Sequence, residues 1–296
     1  MKKNLSILLD IDETTKLLLF RNTFQNYSHT KIFGNLTRTK SFNLFEERLL
    51  LLRKVYFIND SNNSISPFTD TFSNDFIWNY ILSISQKLMQ TPNTIYGIAG
   101  PPGSGKSTLA NAIVTCITMF NPKIKAVAIS LDDFYFSKSE RERLGIKWRG
   151  QPGSHNINLA ISFLDSFKRK DEHVIIPHFD HSLDDCAPSE IINGPINVLI
   201  FEGWFVGMPD FNYETIARQI DFLIYLDCST DFSKMRRFKR EEKNRSQSNN
   251  KKGMSNEKLN LFWDEVLEPG ITKWVLPIKS SADLIINMEI EYNYLI

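Results

Sequence analysis

The sequence lacks the features that mark several large classes of protein. Among its 296 residues there is no run of the roughly 18 to 20 apolar residues that a membrane-spanning helix needs. Its 35 Lys and Arg nearly balance its 34 Asp and Glu, whereas a nucleic-acid-binding protein usually carries a strongly basic face. We therefore expect neither a membrane protein nor one that binds nucleic acid through its overall charge.

Cysteines are few and form no recognisable pattern. Cys116, Cys186 and Cys228 include no C-x-x-C pair and no even-numbered disulfide framework. The apolar N-terminal stretch is interrupted by acidic residues between positions 10 and 13, and no small-residue cleavage site follows it, so a signal peptide is not predicted. These features favour a soluble protein in a reducing compartment, and we expect a cytoplasmic location.

The chain separates into two parts by its pattern of apolar residues. Residues 1–90 show helical spacing over 44–58 and 74–89 and predict a helical extension packed on a core domain. Residues 91–296 alternate short apolar strands with helices, which indicates an α/β fold with a doubly wound parallel sheet flanked by helices. The predicted strands are 94–99, 124–130, 173–177, 196–202, 221–227 and 283–288.

A complete phosphate-binding pattern, G-x-x-x-x-G-K-S/T, lies between a predicted strand and a predicted helix. Its glycines allow successive backbone N–H groups to turn towards phosphate oxygens, and the helix N-terminus adds its dipole. We expect Lys106 to reach the β- and γ-phosphates of ATP and the Ser107 hydroxyl to bind Mg²⁺. The residues predicted to bind the nucleotide are Gly100, Pro101, Pro102, Gly103, Ser104, Gly105, Lys106, Ser107 and Thr108.

Acidic residues follow two other predicted strands. Asp132 and Asp133 lie in the sequence LDDFY, at the C-terminal end of a strand, where open α/β sheets bind their ligands. We expect Asp132 to accept the proton of a substrate hydroxyl as it attacks the γ-phosphorus, and Asp133 and Tyr135 to contact the substrate. Glu202 ends the strand INVLIFE and is suited to holding Mg²⁺. The alternative is that these acids only cap a loop or end a strand.

Three further segments carry less specific patterns. The loop RGQPGSHN, residues 149–156, is rich in turn-forming residues. The segment PHFDHS, residues 177–182, has two histidines but lacks the spacing of a zinc site. The basic residues at 234–240 form either a solvated helix face or the start of a lid, placed around residues 234–254, that brings cations over the transferred phosphoryl group.

Five segments taken in order, GPPGSGKST, SLDDFY, RGQPGSHN, IPHFDHS and FEGWFVG, resemble the D-glycerate 3-kinase family, within the group of phosphoribulokinase, uridine kinase and pantothenate kinase. The resemblance covers about residues 92 to 290 and includes the sequence GMS at 253–255. The combination of P-G-S/T-H with FEGW points to glycerate kinases in particular. The resemblance implies a P-loop kinase that uses ATP and Mg²⁺ to phosphorylate the 3-hydroxyl of D-glycerate.

The same resemblance implies a role for each candidate residue. Arg149 is the residue that we expect to bind the substrate carboxylate. The implied roles are general base for Asp132, Mg²⁺ site for Glu202, acceptor pocket for Arg149, His155 and Asp180, and catalytic arginine of the lid for Arg237.

The chain departs from the family pattern at three places. Asn156 stands where the P-G-S/T-H loop normally continues with Asp, and His181 stands where a Lys is usual. Asp184, Asp185 and Cys186 replace a usual Gly-Asp-Arg, so a cation is missing near the predicted pocket. Every departure lies on the acceptor side, so the motifs predict the use of ATP more strictly than they predict the acceptor.

Other functions remain compatible with these residues. The acceptor could be a nucleoside, pantothenate or a sugar phosphate in place of D-glycerate. A P-loop ATPase with a regulatory or chaperone role would use residues 1–90 as a partner surface, but it has no need of the P-G-S/T-H and FEGW loops together. A GTPase is not indicated, because no N-K-x-D guanine-binding motif follows the fifth strand.

Overall fold

The computed structural model describes residues 27–34, 36–62, 71–247 and 254–289. These residues fall into two compact units. One contains the described residues up to Thr91 together with Ala112–Lys123, and the other contains Pro92–Asn111 and the described residues from Ile124 onward. Among the described helices, none combines the length and the apolar character that crossing a membrane requires.

The first unit is helical. Phe45 packs edge-on against Trp78 with 5.7 Å between ring centroids, and the buried Arg48 donates a hydrogen bond of 2.8 Å to Gln86 Oε1. The helices predicted over 44–58 and 74–89 are confirmed. Its helices are α1 (Tyr27–Phe33), α2 (Arg38–Asn62) and α3, which begins as Asn74–Phe76, passes through a π-helical turn at Ile77–Leu82 and ends as Ser83–Gln90.

The second unit is built on a parallel sheet. Its described strands are β1 (Ile95–Ala99), β2 (Ala126–Ser130), β3 (His173–Asp180), β4 (Asp185–Asn193), β5 (Val198–Glu202), β6 (Phe222–Asp227) and β7 (Leu284–Asn287). The sheet has the order β2-β5-β1-β6-β7, and every neighbouring pair is parallel. The predicted doubly wound parallel sheet is therefore confirmed. Because the strands are parallel, their C-terminal ends meet at one edge, where Glu202 lies in register with Ile98 and Ser130.

Helices connect these strands. A 3₁₀ turn, Leu131–Phe134, follows β2. The rings of Phe134, Phe163 and Phe201 pack with centroid distances of 5.6 to 6.4 Å in the hydrophobic core. The helix bounds are α4 (Lys106–Phe120), α5 (Lys138–Arg143), α6 (Ile157–Arg169), α7 (Glu214–Ala217), α8 (Thr230–Gln247) and α9 (Asn256–Phe262), after which helical turns continue to Ser281.

The strand predicted at 173–177 does not belong to the parallel sheet. It is part of β3, which pairs antiparallel with β4 in a separate hairpin. In β3, exposed and buried residues alternate, and the side chain of Ile175 is 60% exposed, whereas all five residues of β5 are buried. An alternating pattern is typical of an antiparallel pair with one face in solvent. The hairpin turn brings residues 181–184 to the cleft described below.

Candidate active site

The P-loop, residues 100–107, adopts a backbone that requires glycine. Gly100 has a φ of 145° and Gly103 a φ of 80°. A Cβ on Gly100 would lie 2.5 Å from the carbonyl oxygen of Leu226, and one on Gly103 would lie 3.0 Å from that of Ser233. A side chain at Gly100 would therefore collide with the backbone of β6, and one at Gly103 would crowd the backbone of α8. The residues present therefore fit a nucleotide phosphate at the N-terminus of α4.

Lys106 lies inside the P-loop. Its ammonium group donates hydrogen bonds of 2.9 Å to the carbonyl oxygens of Gly100 and Pro101. Burial lowers the pKa of Lys106, against the opposing charges of Glu202 and Asp132. Both bonds are to carbonyl groups of the loop itself, so a phosphate group bound in the loop would offer this ammonium a charged acceptor in place of neutral ones.

The side-chain oxygens of Ser107 and Glu202 lie close together. The Ser107 hydroxyl lies 2.7 Å from Glu202 Oε1, and Glu202 is buried at the end of β5. Burial raises the pKa of Glu202, with the charge of Lys106 acting in the opposite direction. Hydroxyl and carboxylate oxygens suit Mg²⁺, which usually keeps several waters and shares its ligands with substrate phosphates. Within the described ranges no group of three or more His, Cys, Asp and Glu could hold a metal ion.

Asp132 begins the 3₁₀ turn after β2. About a third of its side chain is exposed, and it lines the same cleft as Lys106, but its Oδ1 is buried and lies 3.8 Å from His155 Nε2. Burial alone would raise the pKa of Asp132, but the interaction with His155 and the charges of His181 and Lys106 lower it below the ordinary range. The carboxylate is therefore ionised at neutral pH and presents a proton acceptor to the cleft.

His155 does not line the cleft, contrary to its predicted place in the acceptor pocket. Its ring is buried and stacks on Tyr135, with 4.2 Å between the ring centroids. Its Nδ1 lies 2.5 Å from the hydroxyl oxygen of Tyr213. The backbone of the P-G-S-H loop pairs with Tyr135 in an antiparallel β-bridge. The His155 ring therefore lies in the core, on the side of Asp132 that is away from the cleft.

Arg149, the residue predicted to bind the substrate carboxylate, already has a partner within the protein. Its guanidinium forms an ion pair with Asp184 and lies 5.6 Å from the centre of the Phe179 ring. Arg141 donates hydrogen bonds to the same residue, at 2.5 Å to its carbonyl oxygen, and its Nη2 lies 3.2 Å from Asp184 Oδ1. Asp184 has a φ of 57° in the hairpin turn. Arg149 was expected to bind the carboxylate of the substrate, but in this structure it is paired with the carboxylate of Asp184.

The remaining predicted acceptor residues line the cleft but also make local bonds. Asp180 Oδ1 accepts hydrogen bonds from the backbone N–H (2.7 Å) and hydroxyl (2.5 Å) of Ser182 and so caps the hairpin turn. Asp133 Oδ1 accepts one from the backbone N–H of Phe179 at 3.3 Å, which ties the 3₁₀ turn to β3. Burial raises the pKa of Asp133. These bonds give both acids a structural role in addition to any contact with substrate.

The helix α8 brings Arg237 to the cleft. Arg237 is 9% exposed and pairs with Glu241 at 2.6 Å. Burial, and then the neighbouring Arg240, lower the pKa of Arg237 to about 10. The Ser233 hydroxyl donates a hydrogen bond of 2.5 Å to the carbonyl oxygen of Pro102, which ties α8 to the P-loop. Of the predicted lid, 234–254, and of the GMS sequence, residues 248–253 lie outside the described residues.

Most of the predicted site residues line a single cleft of about 1430 Å³. Sites for one drug-sized ligand are usually about 300 to 1000 Å³, so this cleft has room for a nucleotide and a small acceptor together. Its lining includes Pro102, Gly103, Lys106, Ser107, Asp132, Asp133, Tyr135, Arg149, Asp180, Glu202 and Arg237.

The pattern of the Phosphoribulokinase / Uridine kinase family matches residues 95–291. The chain belongs to this family. It is 37% identical over 130 residues to a protein of Schizosaccharomyces pombe described as "Uncharacterized kinase mug58", an alignment that covers 38% of this chain and about half, 46%, of that relative. It is 31% identical over 197 residues to the uridine kinase of Staphylococcus epidermidis, covering 65% of this chain and 86% of that one.

A solved structure has the same fold as this member of the phosphoribulokinase/uridine kinase family. The D-glycerate 3-kinase of Cryptococcus neoformans superposes with a TM-score of 0.55 at 19% identity, covering 84% of this chain and 97% of that one. At this level of identity the likeness concerns the fold alone. Family membership supports ATP as the phosphoryl donor, whereas the acceptor has to be argued from the cleft.

The sequence patterns did not identify two residues that lie at this site, Tyr213 and Asp184. Tyr213 precedes α7 in the stretch FNYETI, which contains no catalytic pattern, and Asp184 stood out only as a departure from the Gly-Asp-Arg pattern. Their contacts, with His155 and Arg149 respectively, join residues 58 and 35 positions apart. No local signal in the sequence identifies either pair.

Proposed function

We propose that this chain is an ATP-dependent small-molecule kinase. The observation that carries the proposal is the placement of an ionised carboxylate, Asp132, in the same cleft as the P-loop lysine, Lys106. The acceptor oxygen attacks the γ-phosphorus, and the bond from that phosphorus to the β–γ bridging oxygen breaks, its electron pair leaving with ADP. The hydroxyl proton passes to Asp132. Mg²⁺, held by Ser107 and Glu202, would supply positive charge beside the phosphates.

We propose D-glycerate as the leading acceptor, phosphorylated at its 3-hydroxyl to give 3-phosphoglycerate. The P-G-S-H and FEGW segments support this choice, and Arg149 supplies a cation in the cleft for the substrate carboxylate. Arg237, together with Lys106, would stabilise the charge that develops on the transferred group. Arg237 is paired with Glu241 in this structure. When ATP binds, the guanidinium of Arg237 would either leave Glu241 or contact Glu241 and the phosphate at the same time.

An acceptor panel tests this proposal directly. We expect ADP release, measured in a coupled assay with D-glycerate, L-glycerate, pantothenate and uridine, to have its highest kcat/KM with D-glycerate. The product would be identified by mass spectrometry as a monophosphate. ATP turnover that no acceptor changes would overturn the kinase proposal and favour the ATPase alternative.

A neutral acceptor such as a nucleoside is the second candidate. The ion pair between Arg149 and Asp184 favours it, because the pair leaves less positive charge for an anionic substrate. The ring of Trp148, which lines the cleft and is only partly buried, offers a surface on which a base could stack. The charge of the acceptor therefore separates the two candidates.

Replacing Asp184 by Asn tests which charge the acceptor carries. Asn tolerates a positive φ, so the hairpin turn is expected to keep its shape while Arg149 loses its anionic partner. If D-glycerate is the acceptor, we expect its KM to fall about tenfold, equivalent to about 1.4 kcal/mol, with the KM for ATP unchanged.

The neighbouring Asp185→Asn variant is the matched control. The Asp185 carboxylate accepts hydrogen bonds from the backbone N–H groups of Lys138 and Cys186, and no bond between it and Arg149 is described. This control should leave the KM for D-glycerate near that of the wild type. An Asp184→Asn variant with an unchanged or higher KM for D-glycerate, and an unchanged KM for uridine, would contradict an anionic acceptor.

A further inference from the structure

Tyr213 and His155 form a hydrogen-bonded pair in the core of the second unit. The Tyr213 hydroxyl oxygen lies 2.5 Å from His155 Nδ1, and the two residues are 0% and 2% exposed. The imidazole ring is further held by stacking on Tyr135 and by an edge contact with Phe205, whose ring centre lies 5.9 Å away. A ring enclosed in this way has little freedom to turn, so its two nitrogens face fixed directions.

The surroundings decide which group donates in this pair. Burial raises the pKa of Tyr213 strongly, against the backbone N–H groups of Gly153 and His155, so the phenol keeps its proton. Burial lowers the pKa of His155, against the influence of Asp132, so the imidazole is neutral at physiological pH. A neutral imidazole has one N–H and one acceptor nitrogen. A protonated phenol can donate or accept, so the choice falls to Nε2, which faces the carboxylate oxygen Oδ1 of Asp132. That acceptor favours the ring proton on Nε2, and in this tautomer the Tyr213 hydroxyl donates to Nδ1.

The other ring nitrogen points at Asp132. His155 Nε2 and Asp132 Oδ1 are 3.8 Å apart, and both are buried atoms without a hydrogen-bond partner among the described residues. A buried donor and a buried acceptor that each lack a partner destabilise the fold, so a shift of less than 1 Å that joins them is favoured. The contact lies on the side of Asp132 that faces away from the cleft.

We propose that Tyr213 and His155 are positioning residues for Asp132, an inference that rests on the proposed role of Asp132 as the general base. Tyr213 holds His155 in the tautomer with a proton on Nε2, and His155 holds Asp132 through Oδ1. Rotation of the carboxylate is restricted, and the second oxygen, Oδ2, is turned to the cleft to receive the proton of the acceptor hydroxyl. Neither positioning residue touches the substrate or accepts its proton.

The tautomer of His155 gives a test that does not depend on the acceptor. The chain has five histidines, so the ring nitrogens of the ¹⁵N-labelled protein can be resolved and assigned by NMR. We expect wild-type His155 to carry its proton on Nε2 and Tyr213→Phe to produce a mixture of tautomers. Tyr225→Phe is the matched control, because the Tyr225 hydroxyl is also buried but has no partner among the described residues. A wild-type proton on Nδ1, or an unchanged tautomer in Tyr213→Phe, would overturn the inference.

Kinetics with D-glycerate as the acceptor provide the second measurement. Tyr213→Phe is expected to lower kcat about 10- to 100-fold and to leave the KM for ATP unchanged, because misdirection of the base affects the chemical step. His155→Gln places an amide N–H near the position of Nε2, whereas His155→Asn places it near Nδ1, so the Gln variant should retain more of kcat. Equal losses in the Gln and Asn variants, with both folded, would contradict the positioning role.

The two measurements separate this inference from the proposed function. One outcome is that D-glycerate is not phosphorylated, while His155 carries its proton on Nε2 and loses that preference in Tyr213→Phe. The proposed acceptor then fails and the positioning role of Tyr213 and His155 stands. If D-glycerate is phosphorylated and the tautomer does not respond to Tyr213→Phe, the positioning role fails and the kinase proposal stands.

Discussion

Replacing Asp132 by Asn is expected to lower kcat by about 10²- to 10⁴-fold, the range that a positioned general base contributes. The amide has nearly the shape of the carboxylate but cannot accept the hydroxyl proton. Asp132 acts on the P-loop through its charge beside Lys106, and no hydrogen bond between them is described, so the KM for ATP should change far less than kcat. The measurement is a coupled ADP-release assay with D-glycerate at saturating ATP, together with calorimetric titration of the nucleotide.

The ionisation of Asp132 sharpens this expectation. Burial by itself would raise the pKa of this carboxyl, and a protonated acid could not act as a base. The interaction with His155 and the charges of His181 and Lys106 lower the pKa below its ordinary range instead. A group with a depressed pKa in the folded protein loses its proton-accepting form only when the pH falls through that lowered pKa. The wild-type base is therefore present at any pH at which a kinase is normally assayed.

The control for this experiment is a carboxylate outside the cleft. Asp171 pairs with Arg169 at 2.7 Å and contacts none of the groups assigned to the reaction, so Asp171→Asn should keep the wild-type kcat. An Asp132→Asn variant that retains turnover within about threefold of the wild type would refute the assignment of the base, since the lower limit expected for its loss is about 10²-fold.

The nucleotide side of the cleft could be predicted from the sequence because its signals are local. The P-loop pattern names the residues at which glycine is required, and the structure places Gly100 and Gly103 at positive φ against backbone carbonyl groups. The strands that flank it are buried on both faces and therefore appear as continuous apolar runs, as in β1 and β5. Residues that follow such strands are then brought to one edge by the parallel arrangement alone.

The hairpin of β3 and β4 could not be predicted in the same way. The run HVIIP has the apolar content of a sheet strand, but its alternating exposure appears only once its partner is known. β4 contains Pro188 and Glu190 and is mostly exposed, so neither composition nor periodicity marks it as a strand. Its pairing with β3 determines where the turn with Asp184 lies, and that placement decides the partner of Arg149.

The orientation of His155 was a failure of a different kind. The motif identifies the loop in which it lies but does not say which side of the loop faces the ligand. That choice depends on two tyrosines from other segments of the chain. Tyr213 shares a hydrogen bond with Nδ1 of His155, and Tyr135 stacks on its ring. The family resemblance therefore predicted a contact between His155 and the substrate, whereas the structure places its Nε2 3.8 Å from Asp132 Oδ1, away from the cleft lining.

Replacing Lys106 by Met is expected to lower kcat by about 10²- to 10³-fold, the usual cost of removing one group that stabilises transition-state charge. Met has a similar length and no charge, so the P-loop loses the cation and its two hydrogen bonds while the aliphatic part of the side chain is kept. The stabilisation of the protein by ATP, measured as the rise in melting temperature, should shrink as well, because that rise depends on the affinity for the nucleotide.

The stability of the ligand-free protein separates loss of function from loss of fold. Burial lowers the pKa of Lys106, so the folded state disfavours the charged ammonium relative to the unfolded chain. Removing this charge relieves that cost but also removes two hydrogen bonds to carbonyl groups of the loop. We expect these effects to offset each other, with a melting temperature within about 2 to 4 °C of the wild type, as for a change of about 1 kcal/mol.

An exposed lysine gives the matched comparison. Lys168→Met on α6 removes the same charge from the surface and should alter neither kcat nor the response to ATP. A Lys106→Met variant that keeps its wild-type kcat would show that the ammonium only braces the P-loop. A variant that loses activity together with most of its stability would instead assign Lys106 to the fold. Only a large loss of kcat at nearly unchanged stability identifies the cation as the partner of the transferred phosphoryl group.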